Sequence, residues 1–150
     1  VSMTRKVPES AIDLIKEFEG FRRNLYVCPA GKPTIGYGHV IQPGEKFFIP
    51  MTEEYAETLL GMDLERFCKG VDELLKVHVT DSQFGALVSF AFNIGLGAFK
   101  QSTMLKMLND GKYKEAGGQF MRWVFADKKQ LPGLVKRRAA ERNLFLSGIE

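Results

Sequence analysis

EGFRRNLYVCPAGKPTIGYGH, running from Glu19 to His39, is where the chain changes character. Ahead of it, IDLIKEFEG reads as a helix closed by Gly20, with Ile12, Ile15, Phe18 and Phe21 supplying its apolar side. Behind it the sequence is rich in Gly, Pro, Tyr and β-branched residues, which favour hairpins and turns. Eight residues separate Glu19 from Cys28, and five separate Cys28 from Thr34. A carboxylic acid at a helix end, facing a short hairpin that presents a thiol and a hydroxyl, describes a cleft. Those groups in a cleft point to an enzyme.

Working outward, Pro8 and Glu9 suit the first turn of the preceding helix, one by its fixed φ and the other by its charge. Residues from about 22 to 50 hold Pro29, Gly31, Pro33, Gly36, Gly38, Pro43, Gly44 and Pro50, so a two- or three-stranded antiparallel sheet is expected there. Thr52 caps a long helix to about Lys76, striped by Ala56, Leu59, Leu60, Leu64, Phe67, Val71, Leu74 and Leu75. Thr80 and Gln83 form a capping box for FGALVSFAFNIG, apolar nearly all round and therefore expected at the centre of a helical lobe. Further helices are expected over Ser102–Asn109, Lys112–Trp123 and Gly133–Leu146, with Gly111 and Gly148 as stops. The fold class is α+β and mainly helical. One domain over residues 1–150 has a β lobe at about 22–50 and a long connecting helix. A helical lobe at about 77–150, joined by the N-terminal helix, completes it, with the cleft between lobes.

Hydrophobic residues at 45% and charged residues at 26% fit a soluble globular chain, and 150 residues bury enough core without staples. A net charge of +3 favours an anionic surface such as a cell wall but is too small to indicate nucleic acid. The basic edge of Lys128, Lys129, Lys136 and Arg142 lacks the aromatic interleaving of a nucleic-acid binder. No apolar run of about 18 residues is present, so no membrane span is expected, and no signal peptide is visible. Val1 in place of Met is compatible with a trimmed or tagged start. His39 and His78 lie far apart without nearby partners, and no phosphate-binding glycine loop occurs. No metal or cofactor is expected, and the chain is expected to be a monomer.

The Glu19–Cys28–Thr34 spacing, with the run Thr34-Ile35-Gly36-Tyr37-Gly38-His39, resembles the phage-type lysozymes or endolysins of glycoside hydrolase family 24. Their pattern is Glu, eight residues, Asp or Cys, five residues and a Thr opening a T-I-G-Y-G-H run. Gln83, Ala86-Leu87, Ser89-Phe90, Phe92-Asn93, Gly95, Gly97 and Phe99 look like the family's central helix segment, and Ser102-Thr103 like its next helix start. Gly133-Leu134-Val135, Arg137-Arg138 and Glu141 resemble its closing helix, so the likeness covers nearly the whole chain. It implies a lysozyme-like fold and a muramidase that cuts the β-1,4 bond between N-acetylmuramic acid and N-acetylglucosamine in bacterial peptidoglycan. The implied setting is phage lysis of a host, with synthesis in the cytoplasm and action in the periplasm. Some members carry an N-terminal signal anchor, and a removed segment of that kind is compatible with the chain.

Glycoside hydrolysis needs an acid for the leaving oxygen and a second group on the other face of the sugar. Glu19 is the expected acid, with Phe18 and Phe21 shielding it from water. Cys28 takes the Asp-or-Cys position as a thiolate base or nucleophile; a small buried hydrophobe is the plain alternative. The resemblance gives Thr34 the attacking water or the substrate to orient, and pairs His39 with Asp63. Gly36 and Gly38 allow a sugar chain close to the backbone, and Asn93 is expected to bond N-acetyl groups. Phe92 suits the cleft wall and the core equally. Of Arg137 and Arg138, one is expected to support the active-site carboxylate, with Arg137 the choice, and the other to join the solvated basic edge. Cys68 and Trp123 read as core. The rival readings are a lytic transglycosylase, an inactive peptidoglycan-binding module and a nucleic-acid binder.

Overall fold

The computed structural model describes residues 5–149. Helix α1 spans Glu9–Glu19 with Pro8 at its N-cap, and Gly20 ends it at φ 72°, a left-handed angle that suits glycine. Strands β1 (Arg22–Val27), β2 (Pro33–Gly36) and β3 (His39–Val40) form an antiparallel sheet in the order β1-β2-β3. Tyr26 faces Thr34 and Val27 faces Pro33 across the first hairpin, and Ile35 faces His39 across the second. The turn between β1 and β2 is closed by Cys28 N–H donating to Lys32 O at 2.9 Å and Gly31 N–H donating to Cys28 O at 2.8 Å.

Helix α2, Glu53–Leu74, starts where the Thr52 hydroxyl accepts the Tyr55 N–H. It ends two residues before the expected Lys76. Asn109 from a later helix captures both sides of that end: its Oδ1 accepts the Lys76 N–H at 2.8 Å, and its Nδ2 donates to Leu74 O at 3.0 Å. Helix α3, Asp81–Ile94, carries the expected Thr80–Gln83 capping box and buries every residue from Gln83 to Ala91. Helices α4 (Leu96–Lys100), α5 (Thr103–Asn109), α6 (Tyr113–Gly118) and α7 (Pro132–Ser147) complete the helical lobe. α3 packs against α1, α2 and α7, which makes it the axis of the core. Phe90 anchors this core, its ring edge-on to Phe99, Phe120 and Trp123. The architecture is α+β and mainly helical. Among the described residues no helix is long and apolar enough to cross a membrane.

Three local expectations change. The helix expected over 112–123 divides into α6 and a 3-10 turn, Gln119–Arg122. Gly117 and Gly118 weaken helix continuity, and Gly117 leaves no room for a side chain, since a Cβ there would meet Leu146 at 2.9 Å. α4 was not anticipated. Neither was a hairpin of β4 (Phe125–Ala126) and β5 (Lys129–Gln130), which turns through Asp127 and Lys128 at φ 50° and 66°. Such a two-residue turn normally carries Asn-Gly, so it left no turn signal in the sequence.

His39 joins the sheet to α2. Its Nδ1 lies 2.8 Å from Asp63 Oδ2 and its Nε2 lies 2.9 Å from Glu45 Oε1. The hydrogen bond to Asp63 raises the His39 pKa, burial opposes that, and Glu45 adds to the rise. The Gln42 N–H and then His39 hold the Glu45 carboxyl below its usual range.

The stability that His39 adds is complete below its ordinary pKa of about 6.5 and is lost as pH climbs through the raised folded value. The Glu45 share is complete above about 4.3 and is lost as pH falls through its lowered value. Asp63→Asn is therefore expected to cost about 1.5–3 kcal/mol near pH 5–6 and progressively less towards pH 9. Melting curves across that range, with the His39 pKa followed by NMR, check this; an unchanged His39 pKa in Asp63→Asn would exclude the pair. Separately, Lys128→Gly relieves a left-handed residue and is expected to gain about 1 kcal/mol, read as a rise in Tm of about 2–4 °C.

Candidate active site

The β1–β2 hairpin sets the first part of the site. Cross-strand partners share a face, so Tyr26 and Thr34 stand together, and Cys28, one residue past the end of β1, joins them through the Thr34 hydroxyl. Thr34 is 1% exposed, and its Oγ1 donates to Lys32 O at 2.9 Å. Cys28 is half-buried and its thiol is free. Desolvation pushes that thiol up, but the Lys32 N–H, the Thr34 hydroxyl and the N–H groups of Ala30 and Cys28 outweigh it and hold the pKa below the ordinary thiol value. Thr34 has one hydroxyl hydrogen, so it serves the Lys32 carbonyl and the sulfur alternately. Cys68 behaves oppositely: buried on α2 and free, its thiol is pushed up to about 11 by desolvation.

Glu19 enters from the end of α1. Its side chain is 17% exposed, and its Oε2 lies 2.6 Å from Arg137 Nη1 on α7. On the other side stands Gly38 of the β2–β3 turn, at φ 73°; a Cβ there would sit 2.6 Å from Glu19 Oε1. Gly38 is thus required by the carboxylate itself, a reason distinct from the approach of a sugar. Phe18 and Phe21 are half-buried beside it, but the immediate surroundings of the acid are a guanidinium and a backbone turn.

Arg137 is held in turn. Its Nη2 donates to Ser89 O at 3.1 Å and its Nε to Glu141 Oε2 at 3.2 Å, while Ser89 Oγ donates to the same carboxylate oxygen at 2.5 Å. Arg138 donates to Glu141 Oε1 at 2.7 Å, to Trp123 O at 2.9 Å and to Asn93 Oδ1, and its guanidinium lies over the Phe90 ring. Burial lowers the Arg138 pKa, and Glu141 opposes that. Arg138 is therefore not part of a solvated basic edge, as the sequence had suggested; it is 1% exposed. The reason is helical spacing, since Arg137 and Arg138 stand four and three residues before Glu141 and both reach it. Lys128, Lys129 and Lys136 are exposed and Arg142 is half-buried, so the rest of that edge meets solvent.

Asn93 is exposed at the end of α3. Arginine only donates, so Arg138 fixes the Asn93 amide with its oxygen inward and its NH2 outward. Phe92 is half-buried with its ring 5.1 Å from that of Phe67, packed against the core. Trp123 is half-buried rather than fully core.

Sequence reasoning missed the partners that hold Arg137. Their signal was present in Ser89, a polar residue inside an otherwise apolar helix, and in the Arg-Arg-x-x-Glu spacing of α7. Hollows of about 390 Å³ beside Phe21 and Arg23, and of about 290 Å³ beside Phe47 and Phe48, contain none of Glu19, Cys28 or Thr34.

The phage lysozyme family model matches residues 16–141. An endolysin of Bacillus phage B103 is 49% identical over 147 residues, covering 95% of this chain and 54% of that protein. The chain thus spans about half the length of the first curated relatives it matches. An endolysin of Acyrthosiphon pisum secondary endosymbiont phage 1 is 41% identical over 94% of this chain and 98% of its own. Among solved structures, the muramidase domain of SpmX from Asticaccaulis excentricus superposes with a TM-score of 0.84 at 38% identity, over 95% of this chain and 98% of that one. With these matches lying across the hairpin, the acid-bearing helix and the buried arginines, the chain belongs to the phage lysozyme family.

Proposed function

We propose that this chain hydrolyses the β-1,4 bond between N-acetylmuramic acid and N-acetylglucosamine in bacterial peptidoglycan, acting as a monomer. Its setting is the lysis of a bacterial host by a phage, with synthesis in the host cytoplasm and action on the wall in the periplasm. The observation that carries the reading is the placement of Glu19 between Arg137 and Gly38, beside the hairpin that presents Cys28 and Thr34. Endolysins among the relatives and a muramidase domain among the similar structures support the substrate class.

The chemistry follows from the groups. Glu19 gives its proton to the glycosidic oxygen as the bond from that oxygen to the anomeric carbon of the muramic acid breaks. A water held by Thr34 attacks the anomeric carbon from the opposite face, and the Cys28 thiolate takes the proton that this water releases. The configuration at the anomeric carbon inverts, and the product has a reducing muramic end. Solvent then reprotonates Glu19 and deprotonates Cys28. The lowered Cys28 pKa suits the base role, because only the thiolate accepts a proton.

Substrate attraction has a distinct source. Residues 22–50 carry Arg22, Arg23, Lys32 and Lys46 against Glu45, a surplus equal to the whole chain's net charge of +3. The β lobe is thereby matched to a polymer bearing peptide carboxylates. The outward NH2 of Asn93 donates to an N-acetyl carbonyl oxygen.

Digestion of purified peptidoglycan by wild type is expected to release reducing muramic ends. Glu19→Gln is expected to lower kcat by about 10²–10⁴. Cys28→Ala is expected to lose activity and Cys28→Asp to keep it. Anhydro ends, or full activity in Cys28→Ala, would instead favour a transglycosylase. Alkylation of Cys28 by iodoacetamide is expected to show a midpoint lower than that of the unfolded protein's thiols, with Cys68 unmodified until the protein unfolds.

A further inference from the structure

We propose that Tyr26 is a substrate-contacting residue of this site: its ring, backed by Arg22, supports a sugar, and its hydroxyl donates a hydrogen bond to that sugar beside the bond that is cut. The inference rests on the hydrolase reading and names a group that reading does not use.

Three observations carry it. The register sets Tyr26 directly opposite Thr34, so the two side chains stand about 5 Å apart at their Cβ atoms, and the Thr34 hydroxyl in turn reaches the Cys28 thiol. The ring is half-buried and has the Arg22 guanidinium 4.9 Å from its centroid, a cation–π contact that stiffens it. The Tyr26 hydroxyl makes no hydrogen bond among the described residues. The Tyr37 hydroxyl, by contrast, donates to Glu53 at 3.1 Å and that of Tyr113 to His78 O at 2.6 Å. A half-buried phenol left without a partner, opposite Thr34 on the hairpin that leads into Cys28, is set for a ligand's oxygen.

Its protonation state agrees. Burial, then the charge of Glu19 and that of Cys28, raise the Tyr26 pKa against the opposing Arg22, so the phenol remains a donor at neutral pH. Sugars present an apolar C–H face and a polar rim, and a tyrosine with a free hydroxyl serves both.

The test uses Tyr26→Phe, which keeps the ring and the Arg22 stack while removing the donor. Binding to insoluble peptidoglycan is measured in the Glu19→Gln background, where nothing is cut, and turnover in the otherwise wild-type protein. The expected result is an unchanged Tm, binding weakened about three- to tenfold by the loss of one hydrogen bond, and kcat/KM lowered by at least as much. Unchanged binding and turnover would overturn the proposal. So would unchanged binding with a shifted Cys28 alkylation midpoint, because Tyr26 would then act through the thiol. If wild type releases no reducing ends, the hydrolase reading falls, and the binding arm still decides whether Tyr26 touches the glycan.

Discussion

Four charged groups meet where α7 crosses α3 and the end of α1: Glu19, Arg137, Glu141 and Arg138. Removing an isolated charge from water costs several kcal/mol, so such a group is stable only as a neutral, hydrogen-bonded set. With Glu19 ionised, two carboxylates against two guanidiniums meet that condition, and Ser89, Trp123 O and Asn93 satisfy remaining donors and acceptors; when Glu19 holds its proton, Glu141 and Ser89 O still hold Arg137. The helical side of the site hangs on this cluster. Arg137 locates the candidate acid, and Arg138 sets which end of Asn93 faces outward. Glu141 touches neither Glu19 nor Asn93, yet it keeps both arginines in position.

The opposite wall is organised by backbone rather than by charge. Hydrogen bonds across the Cys28–Lys32 turn place the thiol, while the glycine at 38 gives the carboxylate its space. His39, one residue on, fastens the sheet to α2 through Asp63. A stiff hairpin and a buried cluster thus approach the same carboxylate from two sides.

Much of this was legible in the chain. Glycines, prolines and cap residues marked α1, the sheet, α2 and α3, because each of those boundaries depends on local chemistry. The Glu19–Cys28–Thr34 spacing was legible because strand alternation and turn length act over short distances. The β4–β5 hairpin was not, since Asp127 and Lys128 adopt angles their identities do not announce. Nor was the burial of Arg138, which reads as surface until a partner carboxylate and an acceptor on another helix are known. Asn109 capping the end of α2 belongs to the same class of long-range event.

The contact between Glu19 and Gly38 ties the acid to movement. Arg137 belongs to one lobe and the glycine turn to the other, and the carboxylate touches both. Any displacement of the glycine turn relative to α7 therefore changes the room around one carboxylate oxygen while Arg137 keeps hold of the other, so the hydration of Glu19 is set by the spacing of the two lobes.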